Sequence, residues 1–383
     1  MTKAFDKTSM TMRILHEGLN IFSRNIGVKI RGYKKYSGND TEICIQIVDS
    51  CYNEEKKYFM ASSGNYKVFY ARDFGWCVQS LLNLGYKKQV EDTLKYAMDA
   101  YKKNNVISVA INSSGRPFNF PDTYSPDSAA YMYRSLRIAK AKDIILKNKK
   151  FLNEQLKVFE SEVLTSDGLL RNKRFSGMRD HVKAYGLCYE IIMACMLCDE
   201  VDKINKLMSK HGKNFLDNVL KKYGLKKNLV KNYWNGSYFE DGLDDKYCSG
   251  HVNTYPFYLE LITDKRMLKN AIESIQKNGL DKPFPLKYGY SNNTKYIWQD
   301  IFAHDWEKNT MWTMLGMAYI DVLSRIDKQA ALENLEQFHK LILKNHNFIE
   351  VYSGYEPYNS VFFSADDSML WASMYLDLKK RLK

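Results

Sequence analysis

Two acidic side chains of this chain sit in surroundings that can support chemistry. Asp180 stands in Ser176-Gly-Met-Arg-Asp180-His181, just ahead of a helix predicted from Val182, with Phe175, Arg179, His181 and Tyr185 around it. A carboxylate at a helix start can simply cap free N–H groups. The aromatic and basic crowd adds a second reading, a group that handles a proton or a ligand. Glu350 lies in the β-like run Phe348-Ile-Glu350-Val-Tyr352, with apolar neighbours on both sides. A carboxylate in that setting is either paired or functional.

Other segments offer binding groups. Arg72-Asp73-Phe-Gly-Trp76 puts a fork donor, an acceptor and a stacking plane at one helix start, although capping plus a salt bridge explains Arg72 and Asp73 equally well. In the loop over 114–128, Asp122 and Tyr124 are placed to meet a ligand, while Asp127, directly before an alanine-rich helix, reads as an N-terminal cap. The stretch over 232–256 is the densest in polar and aromatic residues, with Trp234, Tyr238 and His251. Loops this rich in Trp and Tyr are costly to leave exposed, which predicts that they line or cover a cleft. His251 reads as a wall of that cleft or as a satisfied core histidine, with metal ligation the weakest of its readings. Trp298, His304, Asp305, Trp306 and Glu307 precede a further helix in the same manner.

The elements that must position these residues show a period. Amphipathic pairs are predicted over 70–84 with 86–103, 126–140 with 148–164, 182–199 with 200–222, 253–264 with 265–278, and 308–326 with 327–345, followed by 364–382. An additional helix is predicted over 10–25, and the ICIQIV and KVFY runs within 26–69 read as a small strand pair. A two-helix unit repeating about every 60 residues cannot bury its apolar face alone. If the units close into a ring, the long connections all emerge at one end, where a site would lie.

Composition narrows the partners. No Pro/Gly/Ser-rich linker interrupts the period, so residues 1–383 are expected to form one large domain. The net charge of +13 raises a nucleic acid or another polyanion as partner, but the lysines are scattered in pairs on outer helix faces, which reads as solvated surface. With no run of about 18 apolar residues, no membrane span is expected. The seven cysteines lack paired spacing, and the Cys195–Cys198 CxxC has no second pair, so buried thiols in a cytoplasmic protein are expected, with neither metal nor cofactor. The 28 Tyr and 6 Trp bring together a stacking face and a hydrogen-bonding edge, which sugar rings require.

Three short stretches, in order and spanning about residues 68–375, resemble segments of the six-hairpin (α/α)6 glycosidases, which include glucoamylases, trehalases, neutral invertases and glucosylglycerate hydrolases. These are Arg72-Asp73 with Trp76, Ser176-Gly-Met-Arg-Asp180 with Tyr185-Gly186 and Glu190 downstream, and Glu350-Val-Tyr352-Ser-Gly354 running on to Leu370-Trp371-Ala372. The resemblance implies an all-α toroid of six helical hairpins, with the small β element near the N-terminus. It implies hydrolysis of a small glucoside or oligosaccharide, exo-acting and with inversion, by Asp180 as acid and Glu350 as base. Arg72, Asp73, Trp76, Asp122, Tyr124, Trp234, Tyr238, His251, Trp306 and Tyr352 are then the expected sugar-binding residues. Arg179, interposed between Met178 and Asp180, departs from the family pattern and would oppose the raised pKa an acid needs, which Phe175 and Tyr185 would supply by desolvation. The same ring also hosts sugar epimerases, for which His251 and His304 would be acid and base, and it can serve as a noncatalytic carbohydrate-binding scaffold.

Overall fold

The computed structural model describes residues 23–212, 214–289, 292 and 294–382. The helix predicted over 10–25 therefore lies almost wholly outside the described residues; residues 23–31 are helical. The main helices are α1 Asp40–Ser50, α2 Ala71–Asn83, α3 Lys87–Asn104, α4 Pro126–Ile138, α5 Lys142–Lys147, α6 Lys149–Val163, α7 Cys188–Leu207, α8 Leu225–Tyr233, α9 Gly250–Tyr258, α10 Lys265–Lys277, α11 Thr313–Leu323, α12 Lys328–Asn345 and α13 Ala372–Leu382.

Their packing closes a circle. Helix α2 packs on α4, α4 on α7, α7 on α9, α9 on α11, α11 on α13, and α13 back on α2. Each inner helix carries an outer partner: α3 on α2, α6 on α4, α8 on α7, α10 on α9, α12 on α11, and α1 on α13. The last pair joins the two ends of the described chain. Burial separates the two layers. Every residue of α11 is buried, whereas α10 buries only the stripe Leu268, Ala271, Ile272 and Ile275 and leaves its other face to water. Caps start the outer helices where local sequence provides them, Asp264 accepting from the N–H groups of Arg266 and Met267 before α10, and Asp327 from Ala330 before α12. Close approach inside the ring needs a small residue at Gly75 of α2, since a Cβ there would lie 2.5 Å from the Cβ of Tyr131 on α4.

Four predicted elements differ. ICIQIV forms α1, not a strand: Ile43, Cys44, Ile47 and Val48 share its buried face, and Asn39 with Glu42 forms a reciprocal capping box ahead of them. The third hairpin is not 182–199 with 200–222; α7 runs unbroken from 188 to 207 and its outer partner is α8. The segments 364–371 and 308–312 are not helical, so α13 and α11 start later than predicted. The β structure is also wider than a cap near the N-terminus. β1 Tyr52–Asn53 pairs with β2 Tyr58–Phe59; β3 Phe69–Tyr70, β4 Ala110–Ile111 and β5 Pro117–Phe118 form one antiparallel sheet, and β6 Met311–Trp312, β7 Val351–Ser353 and β8 Glu356–Pro357 another. Among the described residues no helix is long and apolar enough to cross a membrane.

The long connections lead from outer to inner helices, and they are laced to one another in sequence around the ring. β3 pairs with β4; the Ser176 N–H donates to the Tyr124 carbonyl; Leu187 bridges Gly242; the Gly250 N–H donates to the Tyr288 carbonyl; Lys287 bridges Met311; β6 pairs with β7; and Met369 bridges Ser62. All six therefore cover the same end of the toroid, over the N-termini of the inner helices.

Candidate active site

Four inner-helix starts and the loops above them form the floor of this end. Arg72, in the first turn of α2, donates from Nε to Asp127 Oδ2 at 2.6 Å. Asp127 is fully buried in the first turn of α4 and also accepts from Ser125 Oγ at 2.6 Å and the Tyr189 hydroxyl at 3.2 Å. It is thus a partner to arginine, and the expected capping role is not formed. Burial works against the Arg72 charge, but Asp127 and Asp180 more than compensate and raise its pKa. Next to it, Asp73 accepts from Trp371 Nε1 at 3.1 Å, and burial pushes its carboxyl up to about 6.

Asp180 does not cap a helix. Residues 182–187 are extended or turning, and α7 begins only at Cys188. The Asp180 Oδ1 is enclosed without a protein partner among the described residues. Burial raises its carboxyl to about 7, Glu307 and Asp127 add to the shift, and Arg72 and His181 oppose it. The interposed Arg179 is not the opponent expected. It turns away to Asp241 Oδ2 at 2.5 Å and the Tyr247 hydroxyl at 2.7 Å. Tyr185 is 55% exposed and lines the rim, so it does not desolvate Asp180.

Glu350 lies directly before β7, buried, with Oε2 accepting the Asp366 N–H at 2.8 Å. Burial and the nearby Asp366 charge raise its carboxyl well above the ordinary glutamate range, and Arg24 opposes them. Asp366 is itself held by Arg24 at 2.9 Å, by the Ser62 hydroxyl, and by the N–H groups of Asn65 and Tyr66. Asp73 stands within electrostatic reach of Glu350, and Arg72 within reach of Asp180. Two adjacent residues of α2 thereby link the surroundings of both carboxyls.

Four enclosed polar atoms have no hydrogen-bond partner among the described residues: Arg72 Nη2 and Asp180 Oδ1, on residues within electrostatic reach of each other, and Glu190 Oε2 and His251 Nδ1, on residues that line one small cavity with Tyr189. Leaving such an atom unpaired costs about 1–3 kcal/mol. Enclosed atoms left open in this way are where ligand hydroxyls or waters belong. Glu190 is pushed up to about 8 by burial, and His251, packed against Tyr288 at 5.0 Å, is driven well below the usual histidine range by burial and Arg179, so it is neutral. Nearer the surface, a cavity of about 380 Å³ opens between Thr123, Tyr124, Asn172, Lys173, Arg174 and Tyr185. The Arg174 guanidinium joins it to the acid loop by donating to the Asp180 carbonyl at 2.5 Å.

The remaining predicted residues lie elsewhere. Asp122 is exposed. Trp234 packs on Phe239 at 4.9 Å, and Tyr238 donates to the Lys246 carbonyl, in a hairpin whose tip is held by Asn270 and Ser274 of the outer helix α10. Tyr352 accepts from Asn345 of α12 and packs on Phe284, so its ring serves the core. Trp76 donates to the Tyr131 hydroxyl at 2.8 Å and packs edge-on against Trp371. Trp306 is buried among Trp312, Tyr358 and Phe363. His304, with its side chain 77% exposed beside Asp305, shares nothing with the sealed His251 that would make an acid–base pair. Among the described residues no cluster of His, Cys, Asp or Glu could hold a metal ion.

Sequence reading singled out Glu307 only as one of a run. The structure buries it and aims both its oxygens at the acid loop: Oε1 accepts the Asp180 N–H at 2.6 Å and Oε2 the His181 N–H at 2.8 Å. No local pattern signals a contact 127 residues away.

No protein-family model matches the sequence, and a search of curated proteins found no relative. Solved structures do match the fold. A glycosidase variant in complex with glucose superposes with a TM-score of 0.68 at 10% identity, over 90% of this chain and 96% of that one. The glucoamylase of Saccharomycopsis fibuligera gives 0.59 at 11% identity over 91% and 98%. A metal-independent alpha-mannosidase from Streptococcus pneumoniae gives 0.57 at 12% identity over 98% and 96%. The closed double ring, with its long connections gathered over the inner-helix N-termini, is the (α/α)6 fold of the six-hairpin glycosidases.

Proposed function

We propose that the protein is an inverting, exo-acting glycoside hydrolase for a small glucoside or oligosaccharide, with Asp180 as general acid and Glu350 as general base. The observation that carries this reading is the group of enclosed, unpartnered polar atoms around a carboxyl poised near neutrality. Sugar hydroxyls satisfy such atoms, and a protonated Asp180 can donate to the departing glycosidic oxygen as the bond to the anomeric carbon breaks. Glu350, when ionised, takes a proton from the water that attacks the opposite ring face, which needs about 6.5–9.5 Å between the two carboxyls. Arg72, Glu190 and His251 are the hydroxyl-binding residues on this reading, and the rim of Tyr124 and Tyr185 receives the leaving group. The substrate is a small carbohydrate, and the unpaired cysteines favour a cytoplasmic setting.

The pH dependence follows from the two roles. Asp180 must keep its proton, so the rate falls as pH rises through about 7. Glu350 must lose its proton, so the acidic limb lies above the ordinary glutamate range. A panel of α- and β-disaccharides, read by released monosaccharide and by NMR of the first-formed anomer, tests the proposal. Inversion, lost in both Asp180→Asn and Glu350→Gln while folding is kept, supports it. Full turnover in both variants overturns it, and sugar binding without turnover of any glycoside favours a binding protein instead.

A further inference from the structure

We infer that Glu307 is a positioning residue for the acid, acting as a two-pronged brace on the backbone of Asp180 and His181. The inference rests on the hydrolase reading only for what the acid does; the brace itself is geometric. The loop over 181–187 carries no regular secondary structure except single backbone bridges, so the carboxyl of Asp180 has no helix or strand to aim it. What holds it comes from another connection. Glu307, 2% exposed, spends both oxygens on the consecutive N–H groups of Asp180 and His181, at 2.6 and 2.8 Å.

Two N–H donors, one on each oxygen, select the ionised carboxylate, because a protonated oxygen would point its own hydrogen at a donor. Burial raises the Glu307 pKa, while His181, the two backbone donors and Arg179 oppose that rise. The braced loop is fixed from its other sides as well. The Arg174 guanidinium donates to the Asp180 carbonyl, the Ile297 N–H donates to the His181 carbonyl at 2.8 Å, and Asp300 lies 3.7 Å from His181 Nδ1. Asp300 in turn holds Lys308, the residue after Glu307 in the chain. The groups facing Asp180 are thus Arg72 and His181, which favour its charged form, and Glu307 and Asp127, which disfavour it. Of these four, Glu307 alone both fixes the acid's backbone and keeps its proton on.

Glu307→Gln tests this. The glutamine oxygen can accept one of the two N–H groups, but its NH2 faces the other, and the charge is gone. Expected are a kcat lowered about 10- to 100-fold with little change in KM, and a basic limb moved about one pH unit down, since a neighbouring negative charge has been removed. Glu307→Asp keeps the charge but shortens the reach, so it should restore the position of the limb without restoring kcat. A limb and a kcat in Glu307→Gln equal to those of the wild type overturn the brace. The Asp180 carboxyl can also be titrated by carbon NMR in the wild type and in Glu307→Asp and Glu307→Gln, its signal identified by its loss in Asp180→Asn. A lower Asp180 pKa in Glu307→Gln alone supports the brace, and an unmoved pKa in both overturns it. This readout needs no turnover, so failure of the hydrolase reading leaves the brace still testable, and failure of the brace leaves the roles of Asp180 and Glu350 intact.

Discussion

The two carboxyl regions of the mouth are built on opposite plans. Around Glu350 the protein satisfies itself: Asp366 collects Arg24, the Ser62 hydroxyl and the Asn65 and Tyr66 N–H groups, and Glu350 rests on the Asp366 N–H. Around Asp180 the backbone is held while side-chain atoms are left open, on Asp180, Arg72, Glu190 and His251. The difference teaches where binding free energy is stored. The Glu350 side is a finished scaffold joining the early and late parts of the chain, and the Asp180 side keeps unpaired groups that only a ligand or water can complete.

The comparison breaks most sharply on the leaving group. With a glycosyl fluoride, whose departure needs little proton donation, Asp180→Asn should regain most of the roughly 10²–10⁴-fold rate it loses on natural glycosides, while Glu350→Gln should regain none. Equal recovery in steady-state rates would erase the assigned division of roles. The next effect is on stability. Arg72→Met strands the fully buried Asp127, so urea unfolding should show a loss of about 3–5 kcal/mol. A loss below about 1 kcal/mol would mean that water reaches Asp127 and that the floor is not closed.

Glu190→Gln probes the stored strain on the open side. The folded-state pKa of Glu190 is about 8, above the ordinary unfolded value, so its favourable contribution is complete below about 4.5 and is lost as pH rises towards 8. The variant should therefore be more stable than the wild type at pH 8, by roughly 1–3 kcal/mol, and the gain should vanish near pH 4; thermal melts across that range decide it. The smallest effect is expected on the finished side, where Ser62→Ala removes one of several donors to Asp366 and should cost about 1 kcal/mol in chemical denaturation. A gain in stability there would show that Asp366 is over-supplied with donors.

Legibility followed distance along the chain. The outer helices α3, α6, α10 and α12 were readable because their apolar stripes are local, as are the caps of α10 and α12, whereas the long connections were read less well, the one placed over 223–252 containing α8. Asp180 and Glu350 drew notice through their immediate neighbours. ICIQIV misled because its five apolar residues suit a strand as well as a helix face, and the capping box Asn39–Glu42 is what decides between them. Trp234, Tyr238, Trp306 and Tyr352 looked like binding residues because aromatic loops need cover, and the cover turned out to be the core and the outer helices.

By itself the amino-acid sequence determined the repeat, its two-helix unit and the pair of unusual carboxyls, since hydrophobic period and nearest neighbours are local properties. Tertiary structure alone decided that Arg179 belongs to Asp241, that Asp127 belongs to Arg72, and that Glu307 braces Asp180. Each of these pairings joins residues more than 50 positions apart, and ring closure, which no segment encodes alone, is what brings them within hydrogen-bond distance.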